Sequence, residues 1–125
     1  MPDTTYSRWY SACGLIQTDN GPEIVVTGGF GEITTEIYNF GTNEWRRGRD
    51  LPYDAQDAVT VSYGDTLLVM GGDCYINCDV NGQRLSTILE YEPETEGWTL
   101  REERLPRGLE AFGAVFVSSD TVNCQ

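Results

Sequence analysis

The chain repeats itself, and an internal repeat limits what it can fold into more than any single motif does. The apolar run IVVTGG is followed in order by Tyr38, Trp45 and Leu51-Pro52, and LLVMGG is followed by Tyr91, Trp98 and Leu105-Pro106. The glycine pairs, Gly28-Gly29 and Gly71-Gly72, stand 43 residues apart, whereas the tyrosines and the tryptophans each stand 53 apart. The second copy therefore carries ten more residues between its glycines and its tyrosine, in the polar stretch DCYINCDVNG.

Between these marks the pattern is one of short strands. EIVVTG (23–28) and TLLVMG (66–71) are apolar, rich in β-branched residues and bounded by turn formers, as buried strands are. TTEIYNF (34–40) and STILEYE (86–92) alternate more, which predicts strands with one wetter face. Trp45 and Trp98 each open a short charged strand, and SACGLIQTD (11–19), DAVTVSYGD (57–65) and GAVFVSSD (113–120) supply one strand more apiece. No segment carries a helical period, so the expectation is an all-β chain.

The ordered set of an apolar strand ending in Gly-Gly, then Tyr, Trp and an apolar-Pro turn resembles the kelch repeat, and the resemblance runs over 11–118. It implies a kelch-type β-propeller fragment of two four-stranded blades plus the inner strand of a third. On that reading 11–49 is the first blade, 57–102 is the second with a loop insertion at 73–86, and 111–118 is the inner strand of the third. The glycines permit unusual backbone angles and close approach, while Tyr38, Trp45, Tyr91 and Trp98 fill the wedge between blades. These marks build the fold and perform no chemistry. Propellers close with about four to eight blades, so further blades or self-association are expected to complete this one.

Composition narrows the function. Twenty acidic residues against eight arginines give a net charge of −12, a surface that repels phosphate backbones, so no nucleic-acid partner is expected. No apolar run reaches the length of a membrane helix. The opening MPDTTYSRWY lacks the basic start and apolar stretch of a signal peptide, which slightly favours a cytoplasmic location. Histidine is absent, which removes the commonest general base and zinc ligand, so neither an enzyme nor a cofactor is expected. That absence also argues against the copper oxidases among kelch propellers.

The insertion holds the reactive residues. Cys74 and Cys78 are close enough in one loop to bond, which would imply an oxidising, extracellular setting; the alternative is a pair of free thiols. Both are expected at the tip of an exposed loop. Cys13 reads as a small buried thiol of an inner strand and Cys124 as part of a frayed terminus. Asn77, Asp79, Asn81 and Gly82 match positions 1, 3, 5 and 6 of a calcium loop, but Ile88 stands where a bidentate Glu is required, so a turn is expected and no metal site.

The function expected from the resemblance is recognition of a protein partner through loops on one propeller rim: Phe30–Thr34, Asp73–Ser86, Leu51–Gln56 and Leu105–Ala111. Candidate contacts are Tyr53, Asp54, Asp73, Tyr75, Ile76, Asp79 and Arg107. Kelch relatives often use rim arginines for acidic peptides, and Arg107 fits; Tyr53, Asp54 and Asp57 in the other copy favour a basic or polar partner. The insertion is expected to serve recognition and not folding, so that trimming it leaves stability nearly intact. Two alternatives are a ubiquitin-ligase substrate adaptor, which requires a BTB domain upstream, and an extracellular or oxidase-type propeller.

Overall fold

Two antiparallel four-stranded sheets carry the two copies of the repeat in a computed structural model, which describes residues 3–78 and 83–108. In chain order the strands are β1 (Ala12–Thr18), β2 (Gly21–Thr27), β3 (Thr35–Asn39), β4 (Glu44–Arg47), β5 (Val59–Tyr63), β6 (Thr66–Met70), β7 (Asp73–Cys74), β8 (Gln83–Arg84), β9 (Thr87–Glu92) and β10 (Gly97–Arg104). The first sheet is ordered β1-β2-β3-β4 and the second β5-β6-β9-β10, while β7 and β8 form a two-stranded ribbon. Each large sheet is a propeller blade, all-β as the sequence predicts. The expected inner strand at 111–118, together with Asp79, Asn81, Gly82 and Cys124, lies outside the described residues.

The sequence marks make matching bonds in both blades. The Gly28 amide donates to the Thr34 carbonyl at 3.1 Å and the Gly71 amide to that of Thr87 at 3.0 Å. Tyr38 meets Trp45 with ring centroids 5.2 Å apart, and Tyr91 meets Trp98 at 5.3 Å. Gly29 (φ +119°) and Gly72 (φ +91°) explain the glycine pairs. A Cβ on Gly29 would stand 2.7 Å from the Trp9 carbonyl oxygen, and one on Gly72 would stand 2.7 Å from that of Gln56. Only glycine tolerates both the left-handed angle and a backbone so near. The correspondence extends upstream of the marks, because the Phe30 amide donates to Trp9 as the Asp73 amide donates to Gln56, both at 2.8 Å.

The core lies between the blades. Ile16, Val25 and Ile37 of the first pack with Leu67 and Tyr91 of the second, and Trp98 closes the cluster. A second cluster joins Ala12 and Leu51 to Val69 and Leu89. The Trp98 indole also donates to the Thr35 hydroxyl across the blades at 3.1 Å, so this tryptophan supplies both area and direction.

Two expectations are corrected here. β3 is buried along its whole length instead of having a wet face. Its second face is covered by the segment before β1: the Thr5 amide donates to the Glu36 carboxylate at 2.7 Å, and Arg8 pairs with the same carboxylate at 3.2 Å. Cys13 is exposed, not buried, because its neighbour Gly14 faces Leu67 of the second blade and the alternation of β1 turns Cys13 to the other face. Among the described residues no helix is long and apolar enough to cross a membrane.

A charged clasp joins the blades away from the apolar clusters. Arg46 reaches Glu23 through both terminal nitrogens, at 2.6 and 3.0 Å, and its Nε lies 3.0 Å from both carboxylate oxygens of Glu96. The hydrogen bonds from Arg46 hold the buried Glu23 carboxyl below its ordinary range against the opposing effect of burial, with Asn39 assisting. A carboxylate lowered on folding adds stability above its unfolded value, near about 4.3, that is lost as pH falls through the folded value. Stability should therefore decline on acidification below about pH 4.3, and Glu23→Gln should flatten that decline. Thermal melts of both forms across this range check the expectation; parallel profiles would refute it.

Candidate functional site

Three connections meet at one end of the blades, and a single buried carboxylate ties them together. They are the β2–β3 loop, the crossover from β4 to β5, and the long β6–β9 connection containing β7 and β8. Asp54, in the crossover, is fully buried. Its Oδ1 accepts the amides of Tyr75 and Ile76 at 2.7 and 2.6 Å, and its Oδ2 accepts the Gly31 amide at 3.3 Å. Asp54 returns its own amide to the Ile76 carbonyl at 3.3 Å, and Gln56 and Asp73 exchange two backbone bonds at 3.0 and 2.8 Å. One side chain thus fixes all three loops.

Cys74 and Cys78 are joined by a disulfide, with Cα atoms 6.1 Å apart. The expected exposed position is corrected for Cys74, which is fully buried and packs with Ala55 and Leu85 in a small third core cluster. The insertion is accordingly part of the fold: β7 pairs with β8, and the Leu85 amide donates to the Gly72 carbonyl at 2.8 Å. Trimming 73–86 to the short form of the first copy would remove three buried side chains, Asp73, Cys74 and Leu85, so a loss of stability replaces the expectation of nearly intact stability. Ligand atoms of Asp54, Cys74 and Cys78 lie within 4.8 Å of one another. The disulfide occupies both sulfurs, so two thiolates for a metal exist there only after reduction.

The predicted contacts divide. Tyr75 and Ile76 are 41% and 39% exposed, and Arg107 is exposed as well. Asp54 is corrected from a partner contact to a structural residue, since three amides occupy its carboxylate. Asp73 is buried near Arg84, with Nε to Oδ1 at 3.7 Å, and presents little surface. Tyr53 is half-buried against the second and third core clusters and hydrogen-bonds the Thr87 hydroxyl; burial pushes its phenol pKa up, and the Thr87 bond only partly offsets this. These inward positions reflect competition for the carboxylates and the phenol by groups the sequence alone does not place.

Sequence reasoning missed Phe30. It is 61% exposed, and its ring lies 6.0 Å from that of Tyr75, centroid to centroid. Beside it, Trp9 and Tyr10 are exposed, with the Trp9 carbonyl taking the Phe30 amide. The available signal was an aromatic residue in the short loop GGFGE, where a polar side chain costs nothing and a large apolar one serves no turn.

Similarity to known proteins agrees with this geometry. No family model matches the chain. Kelch-like protein 41b of Danio rerio is 29% identical over 100 residues, which span 73% of this chain and 16% of that protein. The structure of YjhT superposes with a TM-score of 0.68 at 15% identity, covering 95% of this chain and 34% of that one. The chain folds as a fragment of a kelch-type propeller. The glycine pairs, the Tyr–Trp contacts and the four-stranded blades are the kelch marks in three dimensions, and the chain spans about a sixth of the Kelch-like relative and a third of YjhT.

Proposed function

We propose that this kelch chain, built of repeat units at 11–49 and 57–102, receives a protein partner on the loop rim organised by Asp54. A kelch-type protein-interaction module is the broad reading that the Kelch-like relative supports. The observation that carries the finer one is the exposed trio Phe30, Tyr75 and Ile76, held side by side on loops that one carboxylate makes rigid. Rigid exposed aromatics lose little entropy on contact and are frequent interface anchors. Arg107 is exposed nearby in sequence to the Leu105–Ser86 link and suits a polar edge to such a contact. The role is binding and not catalysis, in keeping with a sequence that has no histidine to serve as base.

The test uses the full-length protein. Phe30→Ser with Tyr75→Ser should reduce recovery of a bound protein by about tenfold or more, the scale of losing an interface anchor. Melting behaviour should stay close to the parent, because both rings are exposed. Unchanged recovery with an unchanged melt would sink the rim assignment.

A further inference from the structure

The opposite rim, formed by the turns β1–β2, β5–β6 and β9–β10, holds a cleft between the blades of about 290 Å³. The blades are tied there by the Gln17 amide donating to the Gly64 carbonyl at 2.9 Å. Five carboxylates line the cleft, Asp19, Glu23, Asp65, Glu94 and Glu96, against one cation, Arg46. Arg46 is engaged by Glu23 and Glu96. Asp19, Asp65 and Glu94 make no ion pair among the described residues, so the wall keeps excess negative charge.

Tyr91 gives the cleft more than charge. It lines the cleft and is only 1% exposed, and its hydroxyl has no hydrogen-bond partner among the described residues. The oxygen is not sealed off, so it is free to bond a group that enters the cleft. Burial, reinforced by the nearby charge of Glu96, pushes its pKa up, so the hydroxyl remains a neutral acceptor and donor.

We propose that this cleft binds the ammonium or guanidinium head of a lysine or arginine from a basic peptide segment. The cationic head meets Asp19, Asp65 and Glu94, and one of its N–H groups donates to the Tyr91 oxygen. The chain's charge of −12 draws such a segment in from a distance. A divalent ion fits less well, because it asks for about six or more oxygens and a cleft in which Arg46 does not already hold two of the carboxylates. This site is separate from the aromatic rim, and neither depends on the other.

Titration calorimetry of the full-length protein with a blocked tetra-arginine peptide at low ionic strength tests the proposal. Asp65→Asn with Glu94→Gln should weaken binding about tenfold, on the scale of desolvated charge pairs. Tyr91→Phe keeps the ring and should weaken it several-fold without lowering the melting temperature. Asp50→Asn, an acid outside the cleft, should leave binding unchanged and serves as the control. If Tyr91→Phe impairs folding, the Asp65/Glu94 variant decides alone. Equal small losses in all variants, including the control, would mean diffuse attraction and overturn the proposal. Tighter binding of spermine than of the peptide would overturn the assignment to a peptide, and binding of Ca²⁺ in its place would overturn the cation class.

Discussion

Asp54→Ala should cost about 3 kcal/mol or more of stability, on the scale of several charge-assisted hydrogen bonds lost from buried amides. The residue accepts from Gly31, Tyr75 and Ile76 and is fully buried. Alanine would leave three donors without an acceptor and a small void beside Cys74. Asp54→Asn should fall between, since its amide group turns donors toward donors at one of the two positions. Urea unfolding of the full-length protein gives the magnitude. Hydrogen exchange locates it: the Tyr75 and Ile76 amides should exchange quickly in Asp54→Ala while those of β2 and β3 stay protected. Unaltered protection at Tyr75 and Ile76 would show that the loops are held by other means.

Arg8→Met should be comparably severe, about 3–5 kcal/mol, the usual cost of removing one partner of a buried ion pair. The side chains of Arg8 and Glu36 are 4% and 3% exposed. Arg8 also donates to the carbonyls of Gly28 and Thr34 at 2.9 and 2.8 Å and to the Thr34 hydroxyl at 2.9 Å. It thereby ties the first segment of the chain to the first glycine pair. Burial pushes the Glu36 carboxyl up, but the Thr5 amide, the Arg8 guanidinium and the Tyr6 amide together outweigh it and hold the carboxyl low. Its contribution is therefore present above the unfolded carboxylate pKa and is lost as pH falls. The gap between Arg8→Met and the parent should accordingly be widest at neutral pH and narrow toward about pH 4 and below. Adding Glu36→Gln to Arg8→Met should recover part of the loss, because no buried charge then lacks its partner. Chemical denaturation of the three variants at neutral and acidic pH measures both effects, and a pH-independent gap would remove the ion pair as its cause.

The repeat was legible because its marks are local demands of backbone and packing. A residue at left-handed φ with a carbonyl 2.7 Å from where its Cβ would be must be glycine, so Gly29 and Gly72 announce themselves. Paired large rings at fixed spacing, Tyr38 with Trp45 and Tyr91 with Trp98, announce the blade in the same way. The alternating pattern of β3 misled, since the face it leaves polar is covered by residues about thirty positions earlier in the chain. Glu36 looked solvated because nothing near it in sequence shows that Arg8 will reach it.

The candidate sites were less legible for the same reason. By itself the sequence determined the strand content, the two copies, the length of the insertion and the acidic character, all properties of neighbouring or regularly spaced residues. Only the tertiary structure decided that Asp54 faces inward to three amides, that Cys74 is core, that Phe30 joins Tyr75 on the rim, and that Tyr91 opens onto an acidic cleft. Each of these joins residues from different loops or blades. A carboxylate, a thiol or a phenol takes its role from whichever groups surround it, and those groups are assembled only when the blades pack.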